Sequence, residues 1–309
     1  MRNIRVVFAV LSLSVVLVAG VADELQAQEK RQGWTKRLRY RRELRRELQG
    51  EIQLSGAFAL YPMAVKWAEE FRKIHPKVRI DISAGGAGKG ITDALAKVVD
   101  LGMVSRDIYP QELEKGAFPI AVVKDAVVPT INSNNPLIDQ ILATGLKQQV
   151  AQDLWIHTTA RTWGDVLGTG STIPVHVYTR SDACGAAETF AAWLGAKQED
   201  LEGTAVFGDP GVTSVVQRDK VGIGFNNIAY AYDINSKKPY RHIAVIPLDL
   251  NGNGKIDPEE DFYATSTELN AAIAEGKYPS PPARNLFLVS NGKPMKPEVL
   301  AFLEFIFTD

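Results

Sequence analysis

Cysteine is almost absent from this chain of 309 residues, which contains only Cys184. A lone cysteine excludes an internal disulfide framework. Histidine is also scarce, and because none of the four histidines lies within four residues of another, their spacing argues against a locally built zinc site. Glycine and proline, at 25 and 16 residues, are too few for a collagenous or low-complexity protein. With 45% hydrophobic and 23% charged residues, the composition predicts an ordinary globular chain.

The first 27 residues have the features of an export signal. Arg2 and Arg5 precede an apolar run over 6–22, which is shorter than the roughly 20 residues that a membrane-spanning helix needs. Small residues follow at positions suited to cleavage. We therefore predict a signal peptide over 1–27 and a mature protein that is periplasmic or secreted after cleavage. An uncleaved membrane anchor is the alternative.

The segment 28–50 is strongly basic, although the net charge of the whole chain is only −1. Nine lysines and arginines against three glutamates give this segment a charge of +6. Since residues 1–27 contain equal numbers of acids and bases, the charge of residues 51–309 is about −7. An acidic body behind a short basic leader is a poor nucleic-acid binder, so no nucleic-acid partner is expected. We interpret 28–50 as a basic spacer. The alternative is a segment that binds anionic lipid or a protein partner.

From residue 51 onward strand and helix signals alternate, which predicts an α/β fold. Three strands each run into a turn of small residues and then a helix, at 55–62 (SGAFALYP), 85–90 (GGAGKG) and 180–185 (RSDACG). A helix N-terminus presents free N–H groups and the positive end of the helix dipole. Converging on one cleft, the turns would bind a tetrahedral anion, which Arg106 and Arg180 could neutralise through paired hydrogen bonds. The alternative for each turn is a simple helix cap.

The body of the chain contains no long polar linker between these segments. Two lobes would therefore have to be joined by strands that cross from one to the other. Hinges near 124–132 and 228–247 fit the pattern best. This division assigns 51–127 plus 243–309 to lobe 1 and 128–242 to lobe 2.

The order of five segments resembles the phosphate-binding proteins of ABC uptake systems, within the type II periplasmic binding protein superfamily. The segments are SGAFALYP, DISAGGAGKGI, DLGMVSRDI, VHVYTRSDACGAAETF and GDPGV followed by VGIGFNN. The resemblance covers about 51–309. It implies an α/β, two-lobed periplasmic binding protein fold with crossing hinge strands and no catalytic activity. The partners it implies are phosphate or a related oxyanion and the ABC transporter permease in the membrane, and we expect a monomer.

The resemblance also assigns a set of ligand-binding positions. They are Ala59, Leu60, Tyr61, Ala87, Gly88, Ser105, Arg106, Arg180, Cys184, Gly185 and Ala186. The family's hydroxyl donors fall on Ala59, Ala87, Cys184 and Ala186, and the aspartate of its best-known members falls on Ser105. Hydrogen bonds to a charged group are worth about 1.5 to 3 kcal/mol each, so the missing hydroxyls predict a changed affinity or a changed ligand. Inorganic phosphate remains the expected ligand.

Two other functions stay open from the residues alone. A sensor or scavenger could keep the cleft but serve a signalling partner instead of a transporter. An enzyme could use Cys184 as a nucleophile, because thiol pKa values fall at helix N-termini. A nucleotide-binding P-loop is disfavoured, since GGAGKG lacks the Ser or Thr that should follow its lysine.

The segment 249–260 matches the twelve-residue calcium-loop pattern D-x-[DN]-x-[DN]-G-x5-E at every position. The predicted ligands are Asp249, Asn251, Asn253, the carbonyl of Lys255, Asp257 and a bidentate Glu260. The preceding HIAVIPLDL predicts a strand, so this would be an isolated loop and not a helix-loop-helix sensor. We predict a structural Ca²⁺, with an Asn-Gly turn held by its own side chains as the alternative.

Overall fold

A computed structural model of the protein describes residues 48–308. The predicted signal peptide and nearly all of the predicted basic spacer lie outside the described residues. The strands are β1 Gln49–Gly56, β2 Lys77–Ala84, β3 Leu101–Val104, β4 Ala117–Ile131, β5 His176–Arg180, β6 Thr204–Val206, β7 Gly222–Asn227, β8 Ala244–Val245 and β9 Ala283–Asn291. The helices are α1 Tyr61–Ile74, α2 Ala87–Leu95, α3 Pro110–Glu114, α4 Ile138–Thr144, α5 Gln148–Trp155, α6 Trp163–Leu167, α7 Gly185–Trp193, α8 Gly208–Arg218, α9 Ile228–Ala231, α10 Ser266–Ala274 and α11 Pro297–Thr308. Within residues 48–308, no helix combines the length and apolar character needed to cross a bilayer.

Strand β4 runs through both halves of the molecule. The sheet has the order β2–β1–β3–β9–β4–β7–β5–β6, with β8 paired on β4. As far as Ala126, β4 pairs antiparallel with β9, and from Val127 it pairs antiparallel with β7 and β8. We define the first lobe as the described residues up to 126 and from 283, and the second lobe as 127–282. The predicted crossing strand near 124–132 is therefore present.

The return crossing lies later in the chain than the sequence predicts. Phe262, Tyr263 and Tyr278 are buried in the hydrophobic core of the second lobe, together with residues of β4, α7 and β7. The Tyr278 hydroxyl donates to the carbonyl of Val127 over 2.7 Å. Residues 243–282, assigned to lobe 1 from the sequence, thus pack with the second lobe, because their aromatic side chains are buried there. The chain returns to the first lobe at the start of β9.

Helix α2 lies unusually close to strands β1 and β3. A Cβ atom added at Gly90 would be 2.3 Å from the Met103 carbonyl oxygen, and one at Gly102 would be 2.2 Å from that of Gly90. Only glycine allows backbone segments to approach this closely. The packing places the start of α2 directly beside the end of β3.

Candidate functional site

The first turn, 55–62, contacts the second lobe through Phe58. The Tyr230 hydroxyl donates to the Phe58 carbonyl over 3.2 Å. The Phe58 ring lies edge-on to Phe207, with 6.0 Å between centroids, and the Arg180 guanidinium carbon is 5.7 Å from its centroid. A cation this close to an aromatic ring is attracted by its face. The turn therefore touches one of the two predicted anion-binding arginines.

The predicted amide donors of this turn are engaged within it. The N–H of Leu60 donates to the Ala57 carbonyl over 3.2 Å, and the N–H of Tyr61 donates to the Phe58 carbonyl over 3.1 Å. Leu60 is also the residue that precedes α1, and no side chain caps this helix. Two of the three predicted ligand positions here thus stabilise the turn itself, and the third, Ala59, is buried.

The second turn faces the third across the lobe contact. The N–H of Gly88 donates to the Ala183 carbonyl over 3.3 Å. Gly86 precedes α2 with a φ of +91°, and a Cβ atom there would lie 2.8 Å from the same carbonyl oxygen. Both the backbone angle and the space therefore require glycine at 86. Ala87, the first residue of α2, is buried at this contact.

The third turn brings the start of α7 against the end of β3. Cys184 precedes α7, and its Sγ accepts a hydrogen bond from the Ala187 N–H over 3.4 Å, in place of the usual hydroxyl. Gly185 packs so closely on Ser105 that a Cβ atom would be 2.1 Å from the Ser105 carbonyl oxygen. The N–H groups of Gly185 and Ala186 stand in the first turn of α7, where the helix supplies no partner.

All three turns thus meet at the contact between the lobes, as the anion-site hypothesis requires. The predicted ligand positions are buried there except Tyr61 and Gly88, which are partly exposed. The structure brings them together, and their direct contact with an anion stays a prediction.

Arg180 is held by two carboxylates that the sequence analysis did not assign to the site. Its Nε and Nη2 donate to Asp182 over 2.8 and 2.6 Å, and its Nη1 donates to Asp209 over 2.7 Å. The side chain is fully buried. Burial alone lowers the pKa of Arg180, but the adjacent carboxylates outweigh it and raise the pKa above its ordinary value. The guanidinium is therefore charged, and Asp182 and Asp209 already occupy its strongest hydrogen bonds.

Arg106, on the first lobe, is likewise a buried arginine whose guanidinium is paired with carboxylates. It forms a forked pair with Glu112 over 2.9 and 2.7 Å and lies 3.2 Å from Glu188 of the second lobe. The Tyr109 hydroxyl also donates to Glu188. Burial would lower the pKa of Arg106, and hydrogen bonding to Glu112 raises it above its ordinary value. Arg106 thus ties the lobes together through Glu188.

The thiol of Cys184 is not activated. Burial raises the pKa of Cys184 to about 12, and the nearby charge of Arg180 offsets this only in part. The expectation that the helix N-terminus would lower this pKa is wrong for this site, because the thiol is almost entirely removed from water. A nucleophilic thiolate is therefore disfavoured at Cys184.

A buried polar chain leads from Arg180 to the crossing strands. Asp209 accepts hydrogen bonds from the backbone N–H and side-chain amide of Asn227, over 3.0 and 2.8 Å. The oxygen of that amide accepts from Nη2 of Arg284, which also lies 3.3 Å from Asp125. Asp125 and Arg284 are opposite each other in the β4–β9 pairing. Sequence reasoning missed these residues, although GDPGV and GFNN contain two of them.

In the calcium-like loop, 249–260, backbone N–H groups of the loop itself donate hydrogen bonds to the predicted ligand carboxylates. Asp249 accepts hydrogen bonds from the N–H groups of Gly252, Asn253 and Gly254, and Glu260 accepts from those of Leu250, Asn251 and Asp257. Asp257 is paired with Lys255 over 2.6 Å. In the described part of the chain, no group of three or more His, Cys, Asp or Glu side chains is arranged to hold a metal ion. The structural Ca²⁺ therefore stays a prediction.

Calcium should raise the melting temperature of the parent protein but not that of the Asp249→Ala, Glu260→Ala variant. At 10 mM Ca²⁺ and a dissociation constant of about 10⁻⁴ to 10⁻³ M, linkage gives roughly 1.4 to 2.7 kcal/mol of stabilisation. The variant also loses the loop's internal hydrogen bonds, so the readout is the shift between calcium and chelator, not the absolute melting temperature. If the melting temperatures of the parent and the variant shift equally between calcium and chelator, the loop does not bind calcium.

Comparison with known proteins identifies the family. Residues 43–309 match the PBP superfamily domain. Protein SphX of Synechococcus elongatus is 28% identical over 262 residues, which span 82% of this chain and 72% of SphX. The phosphate-binding protein PstS of Xylella fastidiosa is 28% identical over 205 residues, which span 58% of this chain but only 54% of PstS. A substrate-binding protein of Clostridium perfringens, solved with bound phosphate, has a TM-score of 0.68 at 22% identity, covering 84% of this chain and 94% of that protein.

These matches confirm two of the expectations from the sequence. The family match and the similar relatives confirm the resemblance to phosphate-binding proteins of ABC uptake systems. The structural likeness, at 22% identity, confirms the α/β, two-lobed fold.

Proposed function

The chain belongs to the PBP superfamily, and on this basis we propose that it is a solute-binding protein that captures an oxyanion, in the first place inorganic phosphate, for an ABC transporter. The observation that carries the proposal is the meeting of the three small-residue turns beside buried Arg180 at the lobe contact. The similarity to PstS supports phosphate as the ligand.

Anion binding at this contact depends on dipoles more than on net charge. Arg106 and Arg180 are balanced by four carboxylates, those of Glu112, Glu188, Asp182 and Asp209. Of the N–H groups in the first turns of α2 and α7, that of Gly88 donates to the Ala183 carbonyl, while those of Gly185 and Ala186 have no partner within their helix. Preorganised donors of this kind act strongly in a site that excludes water. A dehydrated oxyanion fits such a site, because it accepts many hydrogen bonds at once.

The proposal includes export and delivery. In this proposal the mature protein lies in the periplasm or outside the cell after removal of the predicted signal peptide, and it passes its ligand to a membrane permease. Catalytic activity is not part of the proposed function, which agrees with the raised pKa of the Cys184 thiol.

Titration calorimetry of the purified protein with phosphate, sulfate, molybdate and tungstate tests this function. We expect saturable binding of phosphate at one site, with weaker heats for the other anions. Melting temperatures measured with each anion should rise in the same order, because a ligand of the native state stabilises it by linkage. Absence of both heat and a thermal shift with all four anions would refute the proposed function.

A further inference from the structure

Arg284 is a buried cation whose hydrogen bonds are only partly satisfied. The residue is 8% exposed, and its Nη2 donates to Asn227 and lies 3.3 Å from Asp125. Its Nε and Nη1 are buried and have no hydrogen-bond partner among the described residues. A buried polar group without a partner has lost its hydrogen bonds to water without a replacement, and the cost to stability is greater when the group is charged. Such donors therefore call for an acceptor at this position.

The position of Arg284 connects it with the proposed ligand site. It lines a cavity of about 580 Å³ between the lobes, which it shares with Arg106, Lys124, Glu188 and Thr189. Thr189 lies on α7, one turn beyond the predicted donor residues Gly185 and Ala186. The cavity thus extends from the hinge strands to the helix that begins at the third turn.

The guanidinium groups of Arg284 and Arg180 belong to one buried network. Only the side chains of Asp209 and Asn227 separate them. Arg180, however, has all three of its nitrogens paired with carboxylates. Of the two, Arg284 has the free donors.

We propose that Arg284 donates a hydrogen bond to the oxyanion through one of its two unpartnered nitrogens, Nε or Nη1, so that the crossing strand β9 contributes a ligand-binding residue that replaces part of the missing hydroxyl donors. This inference rests on the proposed function and names a further residue of the same site. A guanidinium N–H donates a charge-assisted hydrogen bond to a phosphate oxygen, and since the Nε and Nη1 N–H groups point away from each other, one of them reaches a given anion. Burial also lowers the pKa of Arg284, since Asp125 offsets the loss of water only in part, so a second anion stabilises its charge.

The test compares two variants that both lack the Asp125 charge. Asp125→Asn alone leaves the Arg284 donors in place, whereas Asp125→Asn with Arg284→Gln removes the buried cation and its partner together. Phosphate affinity is measured by calorimetry, and melting curves establish that each variant is folded. We expect Asp125→Asn to bind phosphate at least as tightly as the parent. The double variant should bind about 10- to 150-fold more weakly, which corresponds to one lost charge-assisted hydrogen bond.

The outcomes separate this inference from the proposed function. If the parent binds phosphate and the two variants bind it equally well, Arg284 is structural and the inference is overturned, while the proposed function stands. If the parent binds no oxyanion, the proposed function itself fails. Should the double variant not melt cooperatively, Arg284→Lys is measured in its place, because lysine keeps the charge but lacks the Nε and Nη1 donors. Weaker binding at a melting temperature near that of the parent supports the inference, and unchanged binding contradicts it.

Discussion

Replacing Gly185 by alanine should weaken phosphate binding by about 10- to 150-fold without unfolding either lobe. The new Cβ atom would lie 2.1 Å from the Ser105 carbonyl oxygen, a backbone atom of the opposite lobe. Normal contact needs more than 3.0 Å, so the lobes must separate there by roughly 1 Å. Hydrogen bonds from one lobe to the anion are then lost, each worth about 1.5 to 3 kcal/mol. Calorimetry with phosphate measures the effect.

A matched control for Gly185→Ala is available in the second lobe. A Cβ atom added at Gly170 would have no heavy atom within 4 Å. Gly170→Ala should therefore leave phosphate affinity and melting temperature at the parent values. Equal affinity in the Gly185→Ala protein would mean that closure at Ser105 does not contribute to binding.

Replacing Arg180 by methionine should have the largest effect on stability. The substitution leaves Asp182 and Asp209 without the cation that they share in a buried setting. Breaking a buried ion pair by removing one partner costs about 3 to 5 kcal/mol. For a domain of this size, each kcal/mol lowers the melting temperature by roughly 2 to 4 °C, so a fall of about 6 to 20 °C is expected. Differential scanning calorimetry measures it.

A double-mutant cycle assigns this loss to the ion pair and not to packing. Asp209→Asn keeps an oxygen that can accept from the Asn227 N–H groups but removes the charge. In the presence of Asp209→Asn, Arg180→Met should therefore destabilise the protein less than it does in the parent, with a coupling energy of about 0.5 to 3 kcal/mol. Strict additivity of the two single effects would show that the Arg180–Asp209 contact contributes little.

Local sequence patterns predicted the elements of the site well. Each of the three turns combines a short strand, small residues and a helix start, and these features depend only on neighbours in the chain. The crossing of β4 could also be predicted, because a long apolar strand without a following linker has to continue into the next lobe. The convergence of the turns was inferable only through the family resemblance, since contacts such as Gly88 with Ala183 join distant segments.

The partners of the arginines and the role of Arg284 could not be predicted in this way. Asp209 lies 29 residues from Arg180, and Arg284 is a single basic residue between a proline-rich loop and an apolar strand. An isolated arginine at a strand start usually faces solvent. Its burial follows from the antiparallel pairing of β9 with β4, which sets it opposite Asp125. The only sequence feature that pointed to a buried role for Arg284 was its position directly before the apolar stretch NLFLVS.

The burial of Cys184 makes this protein well suited to site-specific fluorescent labelling. The chain has only this one cysteine, and burial raises the pKa of its thiol to about 12, so at pH 7 the thiol is almost entirely protonated and unreactive. A maleimide dye would therefore react almost entirely with a cysteine introduced elsewhere. Phe207 is 62% exposed and its ring contacts Phe58 of the opposite lobe. A dye attached at position 207 would report opening and closing by its emission, with the native thiol contributing almost no background.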